Sequence, residues 1–299
     1  MKLYIALVAV ACLVASSSEA QVIFSDNFTG DTAGSSPTGW TSVSPSSPTL
    51  GTLGAIVTNV SGNNAVDMLD NSATSNARLE EDFTTSFSGL HLSLTFTRNA
   101  NITPTTSTQG LYVSLGTNGL SQGTQANRAA DIRLFNDGGY RIDLGTQNGN
   151  GTFASGPTVS SSNTFGESGT TFNTHTLDIY AYGGTTGGAT LSYTGPDSVA
   201  RVLDPHSFAV YIDGNLMQPS ATLTANGDYA FENSSFYSQG TLGRLGLITG
   251  GASAVAGMDF LIDNVSLSAI PEPSTFALLG GGGLLLIGAL RRRHGSRQR

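Results

Sequence analysis

The sequence predicts an all-β fold, an antiparallel β-sandwich, from three observations. Apolar residues alternate with polar ones, glycine-bearing turns join such runs into hairpins, and no long helical pattern lies between the two chain ends. Along 90–97, Leu90, Leu92, Leu94 and Phe96 alternate with His91, Ser93, Thr95 and Thr97, which puts each set on one face of a strand. A helix with 3.6 residues per turn would scatter them. Ile132 and Leu134, then Asp137-Gly138-Gly139, then Tyr140, Ile142 and Leu144 predict a hairpin whose glycines accept positive φ at the turn. Phe208, Val210 and Ile212, followed by Asp213-Gly214-Asn215-Leu216, repeat the signal. Further strands are predicted over 22–28, 111–115, 175–182, 245–248 and 260–267, and the Ser/Thr/Gly-rich tracts 32–52 and 145–171 as long surface loops.

Composition narrows the function classes. The 299 residues include 38 glycines and only 11% charged residues, with a formal charge of −8 and one cysteine. That excludes a charge-rich disordered chain, a disulfide framework and a multi-cysteine zinc site. Between residues 21 and 270 there are 19 acidic residues, seven arginines and no lysine, a formal charge of −12. Such a body disfavours nucleic acid and anionic lipid, and it has no lysine for Schiff-base chemistry.

The ends carry targeting signals. Lys2, the apolar run Leu3 to Ala15, the polar stretch 16–19 and Ala20 have the order of a secretory signal peptide over 1–20, with cleavage between Ala20 and Gln21. Cys12 lies inside the apolar run as a filler, so cleavage leaves the domain 21–270 without cysteine. At the other end, Pro271-Glu272-Pro273 precedes an apolar stretch, 274–290, and then Arg291, Arg292 and Arg293. Seventeen residues at ~1.5 Å rise give roughly 25 Å, a short transmembrane helix near the lower limit for spanning. The arginines hold its end in the cytoplasm and place the domain outside.

Pro271-Glu272-Pro273, the apolar helix and the arginine cluster together resemble the PEP-CTERM sorting signal, over 271–299. The resemblance implies recognition and cleavage by an exosortase at the inner membrane, in bacteria that make an extracellular polysaccharide matrix. Within the domain, Tyr180-Ala181-Tyr182, Val210-Tyr211-Ile212-Asp213-Gly214 and the closing Phe260 to Val265 are similar to the concanavalin A-like or laminin-G-like jelly roll. So is the opening Asp26-Asn27-Phe28 through Gly39-Trp40. Fold alone does not fix function.

Two carboxylates break the alternation. Asp26 is in phase with Val22, Phe24 and Phe28, and Asp263 with Leu261, Val265 and Leu267, so each needs a hydrogen-bond partner, a bulge or a cation. The resembling folds often set the first and last strands side by side, so one reading is a structural Ca²⁺ site using oxygen ligands of Asp26 or Asp263. The other is hydrogen bonding to loop amides without metal. No cofactor is required.

Sugar-stacking candidates are Trp40, Tyr180 and Tyr182, with Tyr112 and Tyr193; Tyr180 and Tyr182 share a face with Asp178 and are expected to line an exposed sheet. No catalytic set emerges. Gly119-Leu120-Ser121-Gln122-Gly123 fits the nucleophile-elbow string but precedes no helix. Glu80 and Asp82 share a strand face ~6.6 Å apart, where Arg78 offers an ion pair and a solvated polar face is expected. His91 falls on a polar face, His175 in a packed position and His206 in a surface turn. The resulting expectation is an exported, non-enzymatic, envelope or matrix protein associated with extracellular polysaccharide. The alternatives are a polysaccharide-acting hydrolase or lyase on the same sandwich, or a purely structural surface protein.

Overall fold

The structure, a computed structural model, describes residues 20–72, 74–98, 110–119, 127–135, 140–142, 145–148, 152–155, 172–184, 188–217, 229–230, 242–250 and 258–271. Val22–Ile270 forms one compact unit. Most of the signal segment 1–20 and the whole of 274–290, with Arg291 to Arg293, lie outside the described residues. Among the described residues no helix is long and apolar enough to cross a membrane.

Nineteen strands and no α-helix occur among the described residues. In chain order they are β1 (Val22–Asp26), β2 (Ser42–Ser44), β3 (Leu53–Val60), β4 (Asn63–Asp70), β5 (Arg78–Phe87), β6 (Gly89–Arg98), β7 (Gly110–Gly116), β8 (Arg128–Phe135), β9 (Tyr140–Ile142) and β10 (Gly145–Asn148). They continue as β11 (Thr152–Ser155), β12 (Thr174–Tyr182), β13 (Leu191–Thr194), β14 (Ala200–Leu203), β15 (Ser207–Ile212), β16 (Asn215–Leu216), β17 (Tyr229–Ala230), β18 (Leu242–Gly250) and β19 (Met258–Ala269).

Two antiparallel sheets carry the fold. One has nine strands, in the order β16-β15-β12-β6-β19-β4-β3, with β17 also on β15. Its central β19 pairs along one edge with β6; on the other, β4 covers its first half and β1 its second. The first strand therefore lies beside the last. The other sheet has six strands, in the order β2-β5-β18-β7-β8-β9.

Period-two alternation builds the core. In β6 the apolar set Leu90, Leu92, Leu94 and Phe96 is buried while His91, Ser93, Thr95 and Thr97 are only half-buried. Leu177 and Ile179 of β12, Phe208 and Val210 of β15 and Phe260 and Ile262 of β19 join them from the same sheet. They meet Leu79 and Phe83 of β5, Leu111, Val113 and Leu115 of β7, and Leu245 and Leu247 of β18 from the other sheet. One shared apolar layer thus holds the two sheets face to face, as in a sandwich.

Several turns form where glycine permits. In β15–β16 the two turn residues Asp213 and Gly214 have φ of 52° and 74°, the paired left-handed geometry of a tight hairpin. Strands β8 and β9 pair as the hairpin expectation requires, with Leu134 opposite Tyr140 and Ile132 opposite Ile142, while Asp137-Gly138-Gly139 and Leu144 lie outside the described residues. Two regions depart from expectation. The pair β3–β4, turning at Ser61 and Gly62 with φ of 53° and 94°, gave no clear sequence signal because Asn59, Asn63 and Asn64 dilute its alternation. The tracts expected as loops hold β2 and the ribbon β10–β11, because short Ser/Thr strands pair through backbone and need no apolar face.

A second apolar cluster covers the outer side of the nine-stranded sheet. The ribbon β13–β14 brings Leu191, Tyr193 and Leu203 onto Tyr180, Tyr182, Ala209 and Tyr211. This part of the sheet is buried on both faces.

One polar tie crosses the core between sheets. Thr249 of β18 donates its hydroxyl to Asp70 Oδ2 of β4 at 2.7 Å and accepts the Ala77 amide at 2.7 Å. Asp70 Oδ1 accepts the Ser72 amide at 3.0 Å. Burial pushes the Asp70 carboxyl above its ordinary value, against the lowering effect of these hydrogen bonds. Thr249→Val keeps the shape and leaves a buried amide and a carboxylate oxygen without partners. The expected loss is roughly 2–4 kcal/mol, read as a lower melting temperature. A carboxyl raised on folding contributes stability that is full below about pH 4 and lost as the pH climbs through its folded value. Asp70→Asn is therefore expected to gain stability relative to wild type between about pH 3 and pH 7, measured by urea unfolding at both.

Candidate functional site

The residues expected to present rings to a sugar are buried. Trp40 is 8% exposed. Its ring stacks on Phe28 at 6.5 Å and meets the edge of Phe24 at 5.0 Å, and its indole N–H donates to Asp26 Oδ2 at 2.8 Å. Tyr180 and Tyr182 do share the outer face of β12, but β13–β14 covers them. Tyr180 lies between His91 at 4.1 Å and Tyr193 at 4.5 Å. Burial pushes its hydroxyl well above the ordinary tyrosine value. Alternation shows which face a ring is on, but not that another ribbon caps it.

The two out-of-phase aspartates find partners of different kinds. Asp26 Oδ1 accepts the Phe28 amide at 2.8 Å and Oδ2 accepts Trp40, so both oxygens are occupied. Burial raises its pKa, with Asp31 and Asp263 adding repulsion. Asp263 sits at a bulge where Asp263 and Ser266 of β19 face Thr95 and Ser93 of β6, and Asn264 takes φ 52°. The bulge turns Val265 and Leu267 into the core and leaves Asp263 half-buried outside it, accepting the Asn264 amide at 2.7 Å. Among the described residues no group of three or more His, Cys, Asp or Glu could hold a metal ion.

The histidines are likewise engaged. His91 Nε2 lies 2.9 Å from Asp178 Oδ1, and buried His175 places Nδ1 2.6 Å from Asp213 Oδ2. His206, expected in a surface turn, is buried with φ 60° and contacts the Gly184 carbonyl at 3.1 Å. Burial depresses its pKa. Of the 119–123 string only Gly119 is described, and its amide donates to Asp82 Oδ1 at 3.1 Å.

Charge gathers instead on the outer face of the six-stranded sheet. Strands β7 and β18 are buried at every position, inner and outer. Register brings Arg244 opposite Asp82, Gly246 opposite Glu80 and Ile248 opposite Arg78, then Ser114 opposite Gly246 and Tyr112 opposite Ile248. On the far side Asp131 faces Ser114 and Arg133 faces Tyr112. A register shift beside Gly116 turns Arg128 onto this face as well.

The groups interlock. Arg128 Nη1 lies 2.9 Å from Asp131 Oδ2. Arg244 bridges two acids, with Nη2 3.6 Å from Glu80 and Nε 3.2 Å from Asp82. The guanidiniums of Arg128 and Arg133 stand 4.2 and 4.1 Å from the Tyr112 ring centroid. Glu80, 3% exposed, is not on the solvated face expected for it. Removing so many charges from water costs several kcal/mol per ion before pairing, which the ion pairs offset.

A pocket of about 430 Å³ on the nine-stranded sheet is lined by Asp67, Asp259 and Leu69 and by residues of β3 and the loops before it. Burial pushes Asp67 up while its hydrogen bond with Asp259 pulls the other way.

The chain is thus an all-β protein with a charged, interlocked face on its smaller sheet. Residues 269–293 carry the PEP-CTERM protein-sorting motif. The motif implies export, sorting at the membrane and processing by an exosortase. It begins at the last residue of β19 and covers the chain end, not the sheets. No curated protein matches the chain.

Among solved structures, the chain is similar to a conserved carbohydrate esterase of the Shiga toxin-encoding bacteriophage phi24B. Identity is 14%, over 85% of this chain and 100% of that one, with a TM-score of 0.47. It is also similar to alginate lyase Aly36B in complex with an alginate tetrasaccharide, with 15% identity, 85% and 98% coverage and a TM-score of 0.45. A third is domain 4 of AbnA, an extracellular arabinanase from Geobacillus stearothermophilus, in complex with arabinotriose, with 14% identity, 87% and 98% coverage and a TM-score of 0.42. At these identities and scores the likeness assigns neither activity nor ligand.

Trp40 is the single tryptophan and reports on the structural cluster alone. Its emission is expected to be blue-shifted, unchanged by saturating glycan and red-shifted only on unfolding, as fluorescence titration would read.

Proposed function

We propose that the chain is an exported envelope or matrix protein whose sandwich binds extracellular polysaccharide without cleaving it. The observation that carries this reading is a two-sheet sandwich on a chain that ends in a sorting motif. The PEP-CTERM motif supports delivery to the place where such a polymer is found.

Binding is favoured over hydrolysis by the position of Arg244. A glycosidase pair needs an open gap of roughly 5–9.5 Å between carboxyls for the sugar or a water. Here the Arg244 guanidinium stands between Glu80 and Asp82 and fills that gap. The convergence of these two acids on one face is nonetheless what favours the second reading, a polysaccharide-acting enzyme. Release of new reducing ends or unsaturated termini from a panel of polysaccharides would establish it and end the non-enzymatic reading.

The sorting part has its own test. Glu272→Ala is expected to accumulate as the longer form in the membrane fraction, while wild type appears at the lower mass of a processed chain. Immunoblots of fractionated cells compare the two. Equal processing of both would remove the motif from the proposal.

A further inference from the structure

We infer that the pocket on the nine-stranded sheet is a site for an amino sugar, taking the ammonium group of a de-N-acetylated hexosamine against the carboxyl pair Asp67 and Asp259. This inference rests on the glycan-binding reading above and names its ligand class, a cationic polysaccharide.

The pocket is open, and its walls are fixed. Its volume of about 430 Å³ lies within the range of roughly 300–1,000 Å³ of small-molecule sites. Register sets its floor: Ile56 of β3 stands opposite Asp67 of β4, and Leu69 of β4 opposite Asp259 of β19. These four are on the side away from the core, which takes Ala55, Val57, Val66 and Met68 instead. One wall is the loop tied to β3 by the Gly34 amide on the Val57 carbonyl and the Val57 amide on the Ser35 carbonyl, both at 2.8 Å. The other is the turn 49–52, held where the Asn71 amide donates to the Thr52 carbonyl at 2.6 Å. Gly51 takes φ 71° in this turn, which presents Leu50, 68% exposed, at the rim.

The lining holds two acids and no basic residue, within a body of formal charge −12 that lacks lysine. Asp67 and Asp259 are hydrogen-bonded to each other. Two carboxyl groups in contact cannot both ionise cheaply, so they share a proton until a cation takes its place. As scaffolding the pair is costly. Asp259 is 3% exposed, and Asp67 Oδ1 is sealed from water with no hydrogen-bond partner among the described residues. The remainder of half-buried Asp67 lines the pocket, so a cation lodged there meets its carboxyl group, with the Asp259 charge close behind.

The surroundings select the kind of cation. Calcium takes about six to eight oxygens, and among the described residues no group of three or more His, Cys, Asp or Glu could hold a metal ion. An ammonium brings only three donors and carries an organic body with it. Ile56 and Leu69 give that body an apolar floor, and the polar side chains of Thr58 and Asn71 line the same pocket. A hexosamine ring has the three matching parts: an ammonium, a C–H face and hydroxyls. N-acetylation removes the charge and adds bulk.

The experiment is isothermal titration calorimetry of the full-length protein in detergent at about pH 6, where an amine of ordinary basicity is charged. The titrants are a β-1,4-linked glucosamine tetrasaccharide, its fully N-acetylated form, isomaltotetraose, spermine and calcium chloride, followed by a wider panel of polysaccharides. The glucosamine form is expected to bind, and the acetylated form, with the same backbone and no charge, is not. Asp67→Asn keeps the shape and is expected to weaken binding about tenfold, the order of one charge-assisted contact. Leu50→Lys changes only an exposed rim residue, sets a like charge at the mouth and is expected to weaken binding as well. Asp197→Asn removes the same charge from an exposed turn and leaves binding intact, and melting curves confirm that each variant is folded. Equal binding of the acetylated form or isomaltotetraose, or binding that survives both pocket variants, overturns the amino-sugar inference and leaves glycan binding standing. Equal binding by spermine overturns it in favour of a general cation site, and displacement of the sugar by equimolar calcium in favour of a metal site. Binding of no glycan across the panel overturns both readings.

Discussion

Burial of β7 and β18 on both faces is the constraint from which the remaining features follow. Their inner residues Leu111, Val113, Leu115, Leu245 and Leu247 face the other sheet, and that alone would make an ordinary sandwich. Their outer residues are also out of water. Side chains there must be small, apolar or matched in charge, and Gly246, Ile248 and the Arg244 bridge are one example of each. The nine-stranded sheet solves the same problem differently, by folding β13–β14 over its tyrosines. One outer face is therefore sealed with apolar rings, the other with ions.

The alternating strands were legible because each records its own environment residue by residue. The run 90–97 and the turn at Asp213-Gly214 needed no knowledge of neighbours. So was the need for a special arrangement at Asp26 and Asp263, which the structure meets with an indole N–H and a bulge. The hairpin 53–70 was less visible, since its polar asparagines obscure the period.

The charged face was illegible for a topological reason. Arg78, Tyr112, Arg133 and Arg244 are far apart in the chain, and only the order β5-β18-β7-β8 makes them neighbours. Glu80 and Asp82 were visible as a pair, but the partner nearest in sequence, Arg78, stood in for Arg244, which arrives from the adjacent strand. Arg128 is harder still, because simple alternation puts it in phase with Ala130 and Ile132; a register shift moves it to the other side. The one signal available was composition: arginine without lysine in an acidic body.

The junction at the end of β19 has a mechanical side. The Ile270 amide donates to the Gly89 carbonyl at 3.0 Å, and its side chain packs on the tyrosine cluster. Only Pro271 then separates this anchored residue from Glu272. A processing enzyme that grips an extended peptide on both sides of its target has almost no slack to work with here. It must accept a rigid shoulder directly upstream, or act while the final rungs of the ladder are peeled away. Folding of the sheet and severing of the tail are thereby rivals for the same few residues.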